Sequence, residues 1–158
     1  MEKYFKILFA LFLLIFLFSC DSFFLKRNKF ESDFKSHTSN ADTILYDGDY
    51  LHPSYAFIKN GKISGLEFNS NPECGNYIRR YFLDKNEEVE KVIVDIDFYS
   101  EHCGEPFDSI YLIEPKKSII KVYTNSTNGK EINNKKLIEE NKISISNYKQ
   151  QMKNWHYR

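Results

Sequence analysis

The chain predicts an α+β fold that is mainly antiparallel β, a twisted antiparallel sheet of about five to seven strands with a C-terminal helical segment packed on one face. Three observations carry this. Asn60-Gly61 separates two strand-like runs, residues 92–98 alternate between two side-chain sets with period two, and helical spacing appears only beyond Gly129. Strand signals first and helical signals last, within one domain-sized chain, favour a sheet whose apolar face is covered by the C-terminal segment.

The elements follow in order from about residue 43. Ala56 to Lys59 and Lys62 to Phe68 flank Asn60-Gly61, a dipeptide that supplies the two positive φ values of a type I′ turn, so these runs form a hairpin. Tyr77 to Leu83 and Glu88 to residue 100 flank Asp84-Lys85-Asn86-Glu87. In the second run Val92, Val94, Ile96 and Phe98 alternate with Ile93, Asp95, Asp97 and Tyr99, which predicts one buried face. Ser109 to Glu114 and Ser118 to Thr124 bracket Pro115-Lys116-Lys117, where proline cannot donate a ladder hydrogen bond, and read as a second hairpin. Lys130 to Asn141 has high helix propensity, and Ile143 and Ile145 suggest a short strand after it. Tyr148, Met152 and Trp155 then fall at i, i+4 and i+7 behind Ser146 or Asn147 as capping residues. At that spacing they are expected to join the core rather than to line a ligand site.

The first twenty residues have a different logic. Lys3 and Lys6 precede twelve apolar residues, Ile7 to Phe18, and then Ser19-Cys20. A membrane-spanning helix needs about 18 to 20 apolar residues, so this run reads as a cleavable export signal. Leu17-Phe18-Ser19-Cys20 resembles the lipobox of bacterial lipoproteins, although Phe18 is bulkier than the usual residue there. The resemblance covers about the first 21 residues. It implies removal of residues 1–19, diacylglycerol on the Cys20 thiol, and often a fatty acyl group on the new N-terminal amine. The mature protein would then be lipid-anchored to a bacterial membrane in the cell envelope, facing the periplasm or the exterior. Two or three acyl chains hold a protein durably where one binds reversibly.

Three segments result: a signal peptide over 1–19, a lipidated N-terminus and tether over 20–42, and a single globular domain over 43–158. In the tether Phe23, Phe24, Phe30 and Phe34 are interleaved with Lys26, Arg27, Lys29 and Lys35. With only these four basic residues, the segment reads as a tether, or a short helix docked on the domain, in preference to a headgroup-binding stretch.

The whole chain carries 22 Lys+Arg and 22 Asp+Glu. Cleavage removes Glu2, Lys3 and Lys6, so the mature chain is close to neutral. Without a basic excess, and with export expected, nucleic acid is not a partner. The expected partners are the membrane, through lipid on Cys20, and another envelope or extracellular protein.

Cys74 and Cys103 remain once Cys20 carries lipid, and two thiols in an exported domain are expected to form a disulfide. Closing that loop restricts the unfolded chain by about 3 to 4 kcal/mol in the entropy model. The competing use of Glu73-Cys74 and Glu101-His102-Cys103-Gly104-Glu105 as metal ligands has no short-spaced pair behind it, so no metal is expected. Asp95, Asp97, Glu101 and His102 form the candidate binding surface, against the plainer reading of Asp95 and Asp97 as a solvated sheet face. Gly-x-Ser-x-Gly, glycine-rich phosphate loops and His-Glu-x-x-His are absent, so no catalytic residue and no cofactor are assigned. The leading expectation is a non-enzymatic protein-binding or protective domain, inhibitor-like or immunity-like by analogy of architecture. The alternatives are an envelope hydrolase or metal-dependent enzyme built on His102 and Cys103 with Glu101, Glu105 or Asp108, and a carrier of an apolar ligand inside a curved sheet.

Overall fold

A computed structural model describes residues 22–99 and 101–158, so the export signal and Cys20 lie outside the described residues. Eight strands follow one another as a meander: β1 (Thr43–Asp47), β2 (Ser54–Lys59), β3 (Lys62–Ser70), β4 (Gly75–Leu83), β5 (Val89–Phe98), β6 (Phe107–Glu114), β7 (Ile119–Thr124) and β8 (Thr127–Ile132). Each pairs antiparallel with its predecessor, and a two-residue β9 (His156–Tyr157) adds to the outer side of β1. Among the described residues the open sheet therefore has nine strands, more than the five to seven expected. Helix α1 (Ser22–Thr38) precedes it, and α2 (Lys135–Glu140) and α3 (Ile145–Gln151) form a C-terminal arm.

The expected hairpin is present, with Asn60 at φ 51° and Gly61 at φ 73° between β2 and β3. The β4–β5 turn is closed by Asp84, whose Oδ1 accepts from the backbone N–H of Asn86 at 2.8 Å and of Glu88 at 3.0 Å. Pro115–Lys117 is one 3₁₀ turn joining β6 to β7.

Two expectations about the C-terminal part are corrected. Lys130 to Ile132 belong to β8, where Lys121 and Glu131 are register partners with an ion pair of 3.6 Å. A ladder partner and a cross-strand charge pair outweigh intrinsic helix propensity there. The helix starts later, at Lys135, where Asn134 Oδ1 accepts from Leu137 N–H at 3.1 Å. Nor do Ile143 and Ile145 form a strand: Ser144 caps α3, so Ile145 is its first residue and Ser146 lies inside it. Met152 is buried, with Tyr148 and Trp155 packed against the same core cluster as expected.

The largest difference concerns the number of covered faces. On one face, Val92 and Val94 join Ala56, Ile63, Leu66, Tyr81, Ile113 and Ile120, beneath Ile138 and Met152 of the C-terminal arm. On the other, Ile93 joins Phe82, Ile110 and Tyr123 beneath Phe23, Phe30 and Phe34 of α1. The single buried face predicted for β5 is thus two. Residues 22–38 are the docked helix, and it belongs to the packed core. Phe23, Phe30 and Phe34 stand at i, i+7 and i+11, one stripe of an α-helix. The Phe34 ring meets Phe57 and Phe82 edge-on at 5.5 and 5.1 Å, and Phe30 meets Tyr123 at 5.3 Å. Gly65 admits the end of α1, because a Cβ there would stand 2.6 Å from Thr38 Cγ2.

Cys74 and Cys103 form a disulfide with Cα atoms 5.5 Å apart. It ties the entry to β4 to the 3₁₀ turn Glu101–Cys103 that connects β5 to β6. Among the described residues no helix is long and apolar enough to cross a membrane.

Candidate functional site

Period two along β5 puts Asp95 and Asp97 on the same face as Ile93, and that face is the one α1 covers. Asp108 is the register partner of Asp97 on β6. Arg27, one turn after Phe23 on α1, reaches all three carboxylates. Its Nε donates to Asp95 Oδ1 at 3.0 Å and its Nη2 to Asp108 Oδ1 at 3.0 Å, while Nη1 lies 3.7 Å from Asp97 Oδ2. The guanidinium also stacks over the Phe23 ring, 4.9 Å from its centroid. Beside it Arg80 Nε donates to Glu67 Oε2 at 2.6 Å. A cavity of about 160 Å³ lies between the helix and the sheet, lined by Arg27, Glu31, Arg80, Asp95 and Asp97 among others.

Charge in this layer is tightly held. Burial pushes the Asp95 carboxyl above its ordinary range, and Arg27 only partly opposes that. Asp97 is also raised, first by burial and then by the neighbouring Asp108 carboxylate, with which it shares a hydrogen bond. For Arg27, Asp95 and Asp108 together outweigh burial and keep the guanidinium charged. Chemically, the arrangement is an ion clamp that fastens the start of α1 to β5 and β6 and retains a proton in an acidic cluster more readily than free carboxylates do.

Asp95 is therefore neither a solvated residue nor an open contact surface, being 7% exposed under α1. Its partner is 68 positions away in sequence, so no local pattern announces the pair. An available signal was the apolar Ile93 on the supposed polar face, matched by the phenylalanine stripe of α1. Of the other candidates, His102 is exposed in the 3₁₀ turn that Glu101 begins, and Glu105 is exposed in the loop after it. Asp108, the further carboxylate considered with them, points into the Arg27 clamp. Cys103 is in the disulfide. Among the described residues no group of three or more His, Cys, Asp or Glu side chains is placed to hold a metal ion.

The basic residues of α1 are likewise engaged within the protein. Lys26 lies over the Tyr123 ring at 5.3 Å, Lys29 pairs with Asp33 at 3.2 Å, and Lys35 pairs with Glu31. His37 Nε2 donates to the carbonyls of Ser64 at 3.0 Å and Leu83 at 3.2 Å, securing the far end of the helix.

Large apolar side chains are exposed in the β1–β2 loop, at Tyr50 and Leu51, at Tyr157 of β9, and around the start of α1. Phe24, Leu25, Tyr99 and Phe107 are 56, 54, 56 and 50% exposed. Arg27 reaches Asp97 and Asp108, and the next register pair outward is Phe98 with Phe107, stacked at 4.9 Å. The first turn of α1 and this aromatic pair thus share one end of the sheet. Comparison with known proteins finds no matching family model, no matching curated protein and no matching solved structure.

Proposed function

We propose that the chain is a small lipid-anchored cell-envelope protein that acts without catalysis, by binding another protein at the membrane surface. The observation that supports the anchor is the exposed apolar rim of Phe24, Leu25, Tyr99 and Phe107 at the end of the sheet where the chain enters from Cys20. Ser22 opens α1 only two residues after Cys20, a span of at most about 7 Å. A lipid on that thiol would draw the start of α1 to the bilayer, where half-exposed aromatic and aliphatic side chains suit the interface. The protein-binding part of the reading rests on the carboxylates. Asp108, the carboxylate considered with His102 for a hydrolase, is instead hydrogen-bonded by Arg27 at 3.0 Å. Among the described residues β8 has no strand on its outer side, and pairing with such an edge is a recognised mode of peptide capture.

The decisive measurement is the intact mass of the protein purified from membranes. It should lack residues 1–19 and carry diacylglycerol on Cys20, and Cys20→Ala should abolish the lipid. An N-terminus beginning at Met1, or a mature form without added fatty mass, would end the proposal. Gentle solubilisation and affinity capture should then recover one defined protein in stoichiometric amount.

A further inference from the structure

We propose that Arg79 and the aromatic cleft beneath the C-terminal arm form a binding site for a carboxylate carried on an apolar or aromatic group. Alternation along β4 places Tyr77, Arg79 and Tyr81 on the face that the arm covers, and Phe68 of β3 is the register partner of Arg79. Together with Ile143 and Tyr148 of the arm they line a cavity of about 330 Å³. That volume is at the small end of ligand sites and suits one ring or one amino-acid side chain. The Phe68 ring meets Tyr81 edge-on at 5.7 Å and Tyr148 at 5.3 Å, which makes one wall aromatic.

The charge in this cleft is unbalanced. Arg79 Nε donates to the Tyr77 hydroxyl oxygen at 3.1 Å, and the guanidinium stacks 4.9 Å from the centroid of the same ring. The Tyr81 hydroxyl, on the same face of β4, also favours its charged form. Burial alone would favour loss of the proton, but the two tyrosine oxygens outweigh it and Arg79 stays charged. Arg27 and Arg80 each face carboxylates, whereas Arg79 makes no ion pair among the described residues. Glu140 and Lys142 of the arm also line the cleft, and each has a partner of opposite charge, Lys136 at 3.5 Å and Glu139 at 2.6 Å respectively.

A half-buried guanidinium held through Nε by the Tyr77 hydroxyl keeps its other N–H donors for a planar fork that matches a carboxylate in two parallel bonds. The Tyr77 hydroxyl accepts from Arg79 and so retains its own hydrogen to donate to the same anion. Aromatic walls then favour an acid with an apolar body over a bare, fully hydrated anion such as phosphate. A free organic acid and the C-terminal carboxylate of a polypeptide both present this chemistry. The inference rests on the binding-module reading and is independent of the lipid.

The test is a titration of the full chain, in detergent micelles, followed through the Arg79 Nε–H resonance by NMR. Benzoate should shift it saturably, with benzamide and inorganic phosphate each binding at least about tenfold more weakly. Arg79→Met should abolish the benzoate response, and Arg79→Lys should weaken it. A short peptide ending in a free phenylalanine carboxylate separates the two sources. Tenfold tighter binding than benzoate assigns a chain terminus, and equal or weaker binding assigns a free acid. No saturable benzoate shift, equal binding of benzamide or of phosphate, or an unchanged response in Arg79→Met would each overturn the proposal. If Arg79→Met does not fold, the comparison of benzoate with benzamide on the unaltered chain still decides it. A protein without lipid on Cys20 would leave this titration intact, and a flat titration would leave the anchor intact.

Discussion

Replacing Arg27 with methionine removes the cation from the clamp while keeping an apolar stem of similar reach over Phe23. The Arg27 side chain is 21% exposed and that of Asp95 10%, whereas Asp97 and Asp108 are 36 and 31% exposed. Breaking a buried pair by deleting one partner costs about 3 to 5 kcal/mol, because the other charge stays buried. The lower end applies, since Arg27 is partly solvated and Asp95 can relieve itself by taking a proton. Asp97 and Asp108 add little, being screened by water like surface pairs worth about 0 to 1 kcal/mol. The expected loss is about 3 kcal/mol, which at about 2 kcal/mol per molar is a fall of about 1.5 M in the urea midpoint. Asp95→Asn removes the stranded charge, so the double variant should recover about 2 kcal/mol relative to additivity. A loss below about 1 kcal/mol for Arg27→Met, or strictly additive effects, would refute the clamp and leave α1 held by its phenylalanines alone.

Three further outcomes are expected. Cys74→Ser with Cys103→Ser should destabilise the domain by about 3 to 4 kcal/mol in urea unfolding, because a loop of this length is no longer closed in the unfolded chain. An unchanged midpoint would contradict that. Gly65→Ala should cost about 1 to 3 kcal/mol, since the new Cβ would stand 2.6 Å from Thr38 Cγ2. Thr38→Ser removes that methyl and keeps the hydroxyl bond to the Phe34 carbonyl, so it should recover part of the loss. If it recovers nothing, the close approach of helix and strand is not what makes glycine necessary. Asp97 has a folded pKa raised above its ordinary 3.8, so its contribution to stability is full below that value and is lost as pH rises through the folded one. Asp97→Asn should therefore be more stable than the parent chain at neutral pH, with the advantage vanishing below about pH 4. Thermal melts across that range would show the opposite trend if Arg27 rather than Asp108 dominates the environment of Asp97.

The β2–β3 hairpin is legible because its cause is local: two positive φ values, at Asn60 and Gly61, satisfied by two adjacent residue types. The pairing of Cys74 with Cys103 is legible because an expected export route and a count of two leave few alternatives. β8 is not legible, since Lys130 and Glu131 favour a helix in isolation and become a strand only beside β7. The Arg27 clamp is hidden for a related reason. Its members lie on three elements, and nothing near Asp95 in sequence reveals that a helix will cover it.

By themselves, the residues determined where the strands β2 to β7 and the turns between β2 and β3, β4 and β5, and β6 and β7 fall, that the sheet is mainly antiparallel, and that the two later cysteines pair. They did so through short-range conformational preference and redox chemistry, which need no knowledge of the rest of the chain. Only the tertiary structure decided sidedness. Once α1 and the C-terminal arm pack on opposite faces, burial sets which charges are neutralised at Asp95 and which remains open at Arg79. Desolvation depends on what lies across an interface, and a linear sequence does not contain that interface until the chain has folded.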